Sequence, residues 1–333
     1  MTLKHSTATA MATIATLAAS LAFMGAARAQ ESATAFPSKP VTIIIPVAAG
    51  GANDNETRLY VTKMTQLTGR SFLLDYKAGA GSTIGTAYVA KATPDGYTLL
   101  AVSPNFTVLP VLYKDVSFDP LKDFAPVAQM STRTTVLLVS PDFPARSFAD
   151  YLAYAKTNPD KMNFGTAGAG SGTHLAGAWL HSASNTKVTF VHYKGIGPAM
   201  QDLMTGRVDA TAAVLAPAMP LIKAGKARPL AILNNERTKL LPDMHTAAEQ
   251  GLPGYNWATW LGIVAPAATP AAIVNKLNEG LARVARMPDV VSSMEAEGSI
   301  PVGSTPQQFR QILATESGIW RKVVQDNAIR IAE

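Results

Sequence analysis

"IIIPVAAGGANDNETR", from Ile43 to Arg58, leads a β-branched strand into two adjacent glycines and then into the start of a helix. Because glycine has no Cβ, Gly50 and Gly51 permit a sharp turn and the close approach of a ligand to the backbone. The first N–H groups of the following helix have no acceptor within the helix. The stretch therefore indicates an anion site, with a plain glycine turn capped by Asn53 or Asp54 as the alternative.

The same stretch argues against nucleotides as the ligand. A phosphate-binding loop of the G-x-x-x-x-G-K-[ST] type would supply a lysine, and none follows these glycines. Their spacing also differs from the G-x-G-x-x-G of dinucleotide-binding folds. Of the anions considered, a carboxylate is the one that these observations leave for this turn.

The composition is that of a folded chain that does not rely on disulfides. The chain has 333 residues, 47% of them hydrophobic, and this length suggests about two domains. The absence of cysteine excludes thiol catalysis, thiolate metal sites and iron–sulfur clusters. The 29 basic residues include Lys4 and Arg28 near the start of the chain; the remaining 27 against 23 acidic residues give a net charge of +4. No basic run stands out, so no nucleic-acid partner is expected.

The first residues have the pattern of a secretory signal peptide. Lys4 and His5 precede an alanine-rich apolar stretch from Ala8 to Ala27, and Ala27 and Ala29 form a small-x-small cleavage pattern. We expect export with cleavage after Ala29. An uncleaved membrane anchor is the alternative, but no cluster of basic residues closes the apolar stretch.

After the signal peptide, strand and helix patterns alternate, which predicts an α/β fold with parallel pairing. The pattern restarts near Val139, ends near Tyr255, and returns to the first unit at the segment "WLGIVAP". We expect residues 1–29 to be the signal peptide, residues 30–138 plus 256–333 to form a first lobe, and residues 139–255 to form a second. Each lobe would hold a mainly parallel sheet flanked by helices, with a hinge and a cleft between them.

The C-terminal segment predicts a long helix with clear start and packing signals. Thr305 can cap it, and Gln308 completes a capping box. An apolar stripe at helical spacing is expected to pack into the core; it comprises Phe309, Ile312, Leu313, Trp320 and Val323.

Three further glycine loops follow strand patterns and open helices. They are "YKAGAGSTIG" (Tyr76–Gly85), "FGTAGAGSGTHLAG" (Phe164–Gly177) and "HYKGIGPAM" (His192–Met200). Ligands of open α/β sheets bind at the carboxyl ends of the strands, where these loops would gather. Together the loops predict a cleft lined by backbone N–H groups and small hydroxyls.

Catalytic and metal-binding patterns are weak. The G-x-S-x-G motif of a hydrolase nucleophile is not present around Ser171, because Gly170 and Gly172 are its immediate neighbours. Ser171 and His174 are therefore interpreted as a helix cap and a ligand contact. The histidines show no metal-ligand spacing, and His181 is expected on a helix surface. Asp209 either orients a donor in the cleft or ends a loop. Arg133 either pairs with a carboxylate or, as arginines more often do, lies exposed.

The order and spacing of these motifs resemble the Bug-type extracytoplasmic solute receptors of tripartite tricarboxylate transporters, over essentially the whole mature chain. The matching stretches are "PVAAGGANDNETR", "YKAGAGSTIGTAYVAKATPDGYTLL", "YKDVSFDPLKDFAPV", "FGTAGAGSGTHLAG", "HYKGIGPAMQDLMTGRVD", "IKAGKARPLAI", "LPDMHTAAEQGLPGY" and the W-x-G-x-x-AP of Trp260–Pro266. No single stretch is specific; their combination is.

The resemblance implies a two-lobed periplasmic binding protein of the type II-like fold. It would be a monomer without cofactor or metal that closes on a small carboxylate and delivers it to integral-membrane permease subunits. First-lobe ligand contacts carried over by the resemblance are Gly50, Gly51, Asp54, Ala80 and Ser82. Second-lobe contacts carried over in the same way are Thr166, Ala167, Gly170, Ser171, His174, Tyr193 and Asp209.

The chain departs from the family pattern at two places. Val47 stands where the family usually has an aromatic residue, and the loop "VSPNFTVLP" places Phe106 where small polar residues or histidine are common. A smaller Val47 and an added Phe106 would suit an aromatic acid that stacks on the ring. The alternative places Phe106 in the core.

Our interpretation is a non-enzymatic carrier of a di-/tricarboxylate or an aromatic acid. A receptor that signals to a membrane protein would use the same closure, so the sequence does not separate transport from sensing. An exported serine hydrolase that uses Ser171 is the third hypothesis, and turnover of a bound acid would support it.

The glycine turn generates a first prediction. Replacing Gly51 with a bulky residue is expected to abolish carboxylate binding without unfolding the protein, because a side chain would occupy the space where the ligand meets the backbone. Isothermal titration of the variant checks this, and an unchanged affinity would count against the site.

Overall fold

The structure is a computed structural model that describes residues 35–47, 49, 52–113 and 116–326. The expected signal peptide and the two glycines of the opening turn, Gly50 and Gly51, lie outside the described residues. Among the helices that are described, none combines the length and the apolar composition needed to cross a bilayer.

In the described chain, a first sheet is formed by six strands. These are β1 (Val41–Ile45), β2 (Phe72–Tyr76), β3 (Thr98–Val102), β4 (Phe124–Arg133), β10 (Thr259–Pro266) and β11 (Ser299–Pro301). Their spatial order is β11-β4-β10-β3-β1-β2. Strand β1 pairs in parallel with β2 and β3, whereas β10 is antiparallel to β3 and β4.

A second sheet is formed by five strands of the described chain. These are β5 (Thr135–Val139), β6 (Asn163–Thr166), β7 (Thr189–His192), β8 (Ala210–Val214) and β9 (Arg228–Ile232). Their order is β7-β6-β8-β5-β9, with β6 parallel to β7 and β8, and β5 antiparallel to β8 and β9.

Helices flank both sheets. They are α1 (Ala52–Thr68), α2 (Thr83–Ala90), α3 (Asn105–Leu112), α4 (Phe148–Thr157), α5 (Gly172–Ala183), α6 (Ile196–Met204), α7 (Leu215–Lys223), α8 (Ala271–Val284), α9 (Pro288–Ala296) and α10 (Pro306–Asp326). The predicted two-lobed α/β fold is confirmed. Each sheet is mixed rather than mainly parallel, because β4, β5 and β10, which carry the chain between the sheets, run against their neighbours.

The chain crosses between the sheets at two adjacent places. It leaves the first sheet at Arg133 and enters the second at Thr135. Asn234, beyond β9, clamps this crossing: its Nδ2 donates to the Arg133 carbonyl at 3.1 Å, and its Oδ1 accepts from the Thr135 N–H at 2.7 Å. The return segment is held by Trp257, whose N–H donates to the Leu233 carbonyl at 2.7 Å. The lobe limits at residues 139 and 255 stay a prediction.

Helix α10 packs against both units and follows its predicted signals. The Gln308 N–H donates to Thr305 Oγ1 at 3.2 Å and the Thr305 N–H donates to Gln308 Oε1 at 2.9 Å, which is the expected capping box. Of the predicted stripe, Phe309 and Leu313 lie in a core cluster of the first unit, and Trp320 and Val323 lie in the main cluster of the second. Ile312 packs beside the first of these clusters. One helix thus supports both walls of the space between the sheets.

A buried ion pair lies where β4 approaches the crossing. Arg133 is 8% exposed and pairs with Glu56 of α1, which is 2% exposed. Ser131 Oγ donates to Glu56 Oε2 at 2.6 Å, and Arg133 Nε donates to Ser299 Oγ of β11 at 2.8 Å. Of the two alternatives for Arg133, pairing with a carboxylate is therefore the one that the structure shows, and the exposed arginine is wrong. A buried guanidinium requires a partner, and α1 supplies it.

The expected surface position of His181 is also wrong. The residue is 1% exposed, and its ring nitrogens bond to the Tyr151 hydroxyl at 3.0 Å and the Thr186 hydroxyl at 2.7 Å. Helix α5 is buried along most of its length because small residues such as Ala176 and Ala178 let neighbours approach closely. Burial lowers the pKa of His181 to about 3, so the ring is neutral.

The ion pair generates a second prediction. Glu56→Gln leaves the Arg133 charge buried without its counterion, so we expect the free energy of unfolding to fall by about 3–5 kcal/mol. Urea unfolding measures it. Lys122→Ala, which removes the exposed pair with Asp119, is the matched control and is expected to change stability by less than about 1 kcal/mol. Equal small effects of both variants would contradict the structural role of the pair.

Candidate functional site

The two sheets face each other across a cleft of about 420 Å³, at the carboxyl ends of β2 and β6. One wall comes from the segment after β2, including Gly79, Gly81 and Ser82, and from helix α3. The other wall is the loop from Ala167 to Ser171, after β6. The cleft therefore lies where the sequence places the second and third glycine loops.

The first wall is a tight turn with unusual backbone angles. Four consecutive residues, Gly79 to Ser82, have positive φ, at 137°, 44°, 63° and 88°. Two of them, Ala80 and Ser82, are not glycine, and such strained residues cluster at ligand sites. At Gly81 a Cβ would lie 2.1 Å from the Tyr113 hydroxyl, so only glycine fits without moving the tyrosine. The turn opens helix α2, whose N-terminus favours an anion.

The second wall is held in place by its own hydrogen bonds. The Ala167 N–H donates to Thr173 Oγ1 at 2.7 Å, and the Gly170 N–H donates to His174 Nδ1 at 3.0 Å. The Ser171 N–H donates to the Gly168 carbonyl at 3.1 Å. The loop amides expected to face a ligand are thus bonded within the loop, which makes the loop rigid before any ligand arrives.

Other donors of this wall are better placed to meet an anion. Ser171 is the N-cap of α5 and its hydroxyl lies 3.0 Å from that of Thr173. The N–H groups of Gly172 and Thr173 belong to the first turn of α5 and have no acceptor within the helix. None of the described residues lining the cleft carries a charge. The polar groups that these residues offer to an anion are hydroxyls, the Asn105 amide and helix N-termini, with no carboxylate opposite them.

His174 supports the second wall from behind. It is 5% exposed, its Nδ1 accepts from Gly170, and its ring lies 4.7 Å from that of His192, centroid to centroid. Burial, with a smaller contribution from His192, lowers the pKa of His174 to about 4. The neutral ring holds the loop. Its Nδ1 is bonded to Gly170, whereas Ser171 Oγ accepts from the His174 backbone N–H, so the serine has the bonds of a helix cap.

Asp54, an expected first-lobe contact, and Phe106, the residue that would stack on an aromatic acid or lie in the core, both have partners of their own. Asp54 is 2% exposed, accepts from the Tyr76 hydroxyl at 2.6 Å and pairs with Arg58 at 3.2 Å. Phe106 is 2% exposed and packs edge-on against Phe124, with centroids 5.2 Å apart. Phe106 and Val47 line a pocket of about 20 Å³ that adjoins the cleft. That space suits a single water, so stacking on a ligand would require this ring to be uncovered.

The expected second-lobe contacts divide into two groups. Ala167, Gly170 and Ser171 line the cleft, and Thr166, which precedes them, is fully buried with its hydroxyl 2.8 Å from His192 Nδ1. Tyr193 and Asp209 are not brought to this cleft.

The hydroxyl of Tyr193 donates to Asp202 at 2.7 Å. Asp209 precedes β8, so it lies at the amino end of that parallel strand, where it accepts from the Asn163 N–H at 2.7 Å. This bond fits the alternative in which Asp209 ends a loop.

Sequence reasoning missed one helix of the cleft. Helix α3 begins within the segment interpreted as the loop "VSPNFTVLP" and ends at Leu112. It contributes Asn105, Leu109 and Leu112 to the first wall, followed by Tyr113. Asn105 Nδ2 donates to Ser82 Oγ at 3.3 Å and so ties the helix to the glycine turn. Pro104 immediately before α3 was an available start signal. The interior Pro110 concealed the helix, since proline usually breaks one.

No metal site competes with this interpretation in the part of the chain that the structure describes. Within residues 35–47, 49, 52–113 and 116–326, no group of three His, Cys, Asp or Glu side chains is arranged to hold a metal ion.

His174 generates a third prediction. Its folded pKa lies below the ordinary value of about 6.5, so the unfolded chain binds more protons between pH 6.5 and 4, and stability falls as the pH falls through that range. His174→Asn keeps an acceptor for Gly170 but does not titrate. Between pH 6.5 and 4 we therefore expect the variant to lose on the order of 3 kcal/mol less free energy of unfolding than the unmodified protein. Urea unfolding at several pH values measures it, with His245→Asn at an exposed histidine as the control. Equal slopes in the two variants would contradict the assignment.

Comparison with known proteins places the chain in a family. The family model of the "tripartite tricarboxylate transporter family receptor" matches residues 57–329. Among curated proteins, BugT of Bordetella pertussis is 30% identical over 305 residues, which is 91% of this chain and 94% of BugT.

Two solved structures of R. palustris proteins are similar over most of the chain. One, solved with adipate, is 32% identical with a TM-score of 0.72, covering 89% of this chain and all of that one. The other, MatC with bound malate, is 32% identical with a TM-score of 0.70, covering 87% of this chain and all of MatC. The chain therefore belongs to the receptor family of tripartite tricarboxylate transporters, a family of Bug-type solute-binding proteins with the periplasmic binding protein fold.

Proposed function

We propose that this protein binds a small organic carboxylate in the cleft between its two sheets. It then delivers the acid, from the periplasm, to the integral-membrane subunits of a tripartite tricarboxylate-type transporter. The observation that carries the proposal is the uncharged cleft between two strand-to-helix loops, in a chain of the receptor family. The adipate and malate bound by two similar proteins support a carboxylate as the ligand.

Recognition of the acid follows from the donors at the two walls. The N-termini of α2 and α5 direct their partial positive charge at the cleft. Hydroxyls of Ser82 and Ser171 add hydrogen bonds, each contributing about 1.5–3 kcal/mol to a charged acceptor. A few such bonds are enough for micromolar affinity, which corresponds to about 8 kcal/mol.

Delivery requires that ligand binding change the conformation. An acid that touches both walls stabilises the closed form more than the open form, and this difference shifts the equilibrium between them. The crossings at Thr134 and near Trp257 are the segments about which the second sheet would rotate. Closure then presents a surface that the permease distinguishes from the empty receptor.

Binding without chemistry is part of the proposal. Ser171 serves as a helix cap, and the His174 ring holds the loop amide of Gly170 rather than activating a hydroxyl. A nucleophile requires a base within hydrogen-bonding reach. We therefore expect the bound acid to be released unchanged.

The glycine turn provides the fourth prediction. The mature chain is expected to show a raised melting temperature with carboxylic acids, because a ligand of the folded state stabilises it by about 2.7 kcal/mol at about 100 times its Kd. Gly81→Ala is expected to abolish the shift, since the added Cβ would displace Tyr113 from the cleft wall. Differential scanning fluorimetry with mono-, di- and tricarboxylic acids measures both.

Gly225→Ala is the matched control for this experiment. The φ of Gly225 is 67°, close to the 63° of Gly81, so alanine introduces a similar backbone strain at both positions. A Cβ at Gly225 meets nothing within 4 Å, so this variant leaves the cleft unchanged. Loss of the shift in Gly81→Ala with retention in Gly225→Ala supports the site. Retention in both variants, or the absence of a shift with every acid, would contradict it.

A further inference from the structure

A second pocket, of about 520 Å³, opens beside the cleft in the second unit. It shares Ala167 with the cleft and continues along Gly172 and Thr173, directly after Ser171. The pocket lies at the carboxyl ends of β6 and β8, between the starts of α6 and α7. An elongated molecule held at the loop from Ala167 to Ser171 would therefore extend into it.

The lining of this pocket, which we call the tail pocket, is apolar. Its larger side chains are Ile196, Met200, Pro217, Leu221 and Trp257, and smaller ones such as Ala213 complete the lining. Its side-chain polar groups are the hydroxyls of three threonines and the indole N–H of Trp257, and none of the described residues that line it is charged. The transfer of a hydrocarbon from water to such a surface is favourable, whereas a carboxylate placed there would lose its hydration without gaining a counterion.

One group in the tail pocket lacks a partner. Thr135, 3% exposed, lines the pocket, and its Oγ1 is buried without a hydrogen-bond partner among the described residues. Buried hydroxyls are nearly always bonded, and an exception requires an explanation. The hydroxyl itself is enclosed by protein atoms, so a ligand would reach it only after a side chain of the lining moved.

Resting on the function proposed above, we infer that the preferred ligand is a monocarboxylic acid with a hydrocarbon or aryl body. Its carboxylate meets the glycine turn and the start of α5, and its body fills the tail pocket. A diacid would place its second carboxylate against Met200, Leu221 and Trp257, where no cation stands among the described lining residues. The second sheet thus selects the class of acid, while the shared cleft selects the carboxylate.

The test compares acids of matched length on the unmodified mature chain, after refolding from urea to remove any bound molecule. Titration calorimetry with butanoate, hexanoate, octanoate and phenylpropionate is set against succinate, adipate and suberate. We expect the monoacids to bind more tightly than the diacids, with affinity rising about fourfold for each methylene buried.

A variant separates the tail pocket from the carboxylate site. Leu221→Lys places an ammonium group in the pocket, so it is expected to weaken hexanoate binding by about tenfold or more while adipate gains affinity. Leu240→Lys, at a leucine 47% exposed that lines neither pocket, is the control and should change neither affinity.

Tighter binding of the diacids by the unmodified chain would overturn the inference and leave the receptor function standing. So would equal hexanoate affinities in the two lysine variants. Failure of every mono- and diacid to bind would overturn both.

Discussion

The buried pair of Glu56 and Arg133 is the constraint on which the rest of the structure depends. Glu56 lies one turn into α1, the helix that follows the first glycine turn, and Arg133 ends the strand from which the chain crosses to the second sheet. Removing one partner of such a pair is costly even where the intact pair adds little net stability. Its role is therefore positional: it ties α1 to the end of β4, next to the point where the chain crosses to the second sheet.

The cleft follows from the direction of the strands on either side of the crossing. Because β2 and β6 both end at it, two strand-to-helix loops face each other with helix N-termini behind them. Bonds within the second loop, such as the one from Gly170 to His174, order that loop before a ligand arrives. Less binding energy is then lost in ordering the protein, and more of it is free to favour closure.

Local signals in the sequence predicted much of this and failed in specific ways. The Thr305–Gln308 capping box and the glycine loops of the cleft depend on neighbouring residues, which a sequence displays directly. His181 was misplaced because a helix of small residues is buried on several faces, so periodicity does not reveal which side meets solvent. For Asp209 the sequence left two alternatives open, because a motif does not state which end of a strand a residue occupies; its bond to the Asn163 N–H fits the one in which it ends a loop. For Arg133 the sequence offered the pairing with a carboxylate as one alternative but could not identify Glu56, which is 77 residues away along the chain.

The most direct test of the account is a crystal structure of the mature chain with a bound carboxylic acid. The account predicts the carboxylate between the turn at Gly79–Ser82 and the start of α5 at Ser171, with the two walls closer together than in the free protein. A carboxylate bound elsewhere, or one held by a charged side chain outside the cleft, would contradict it.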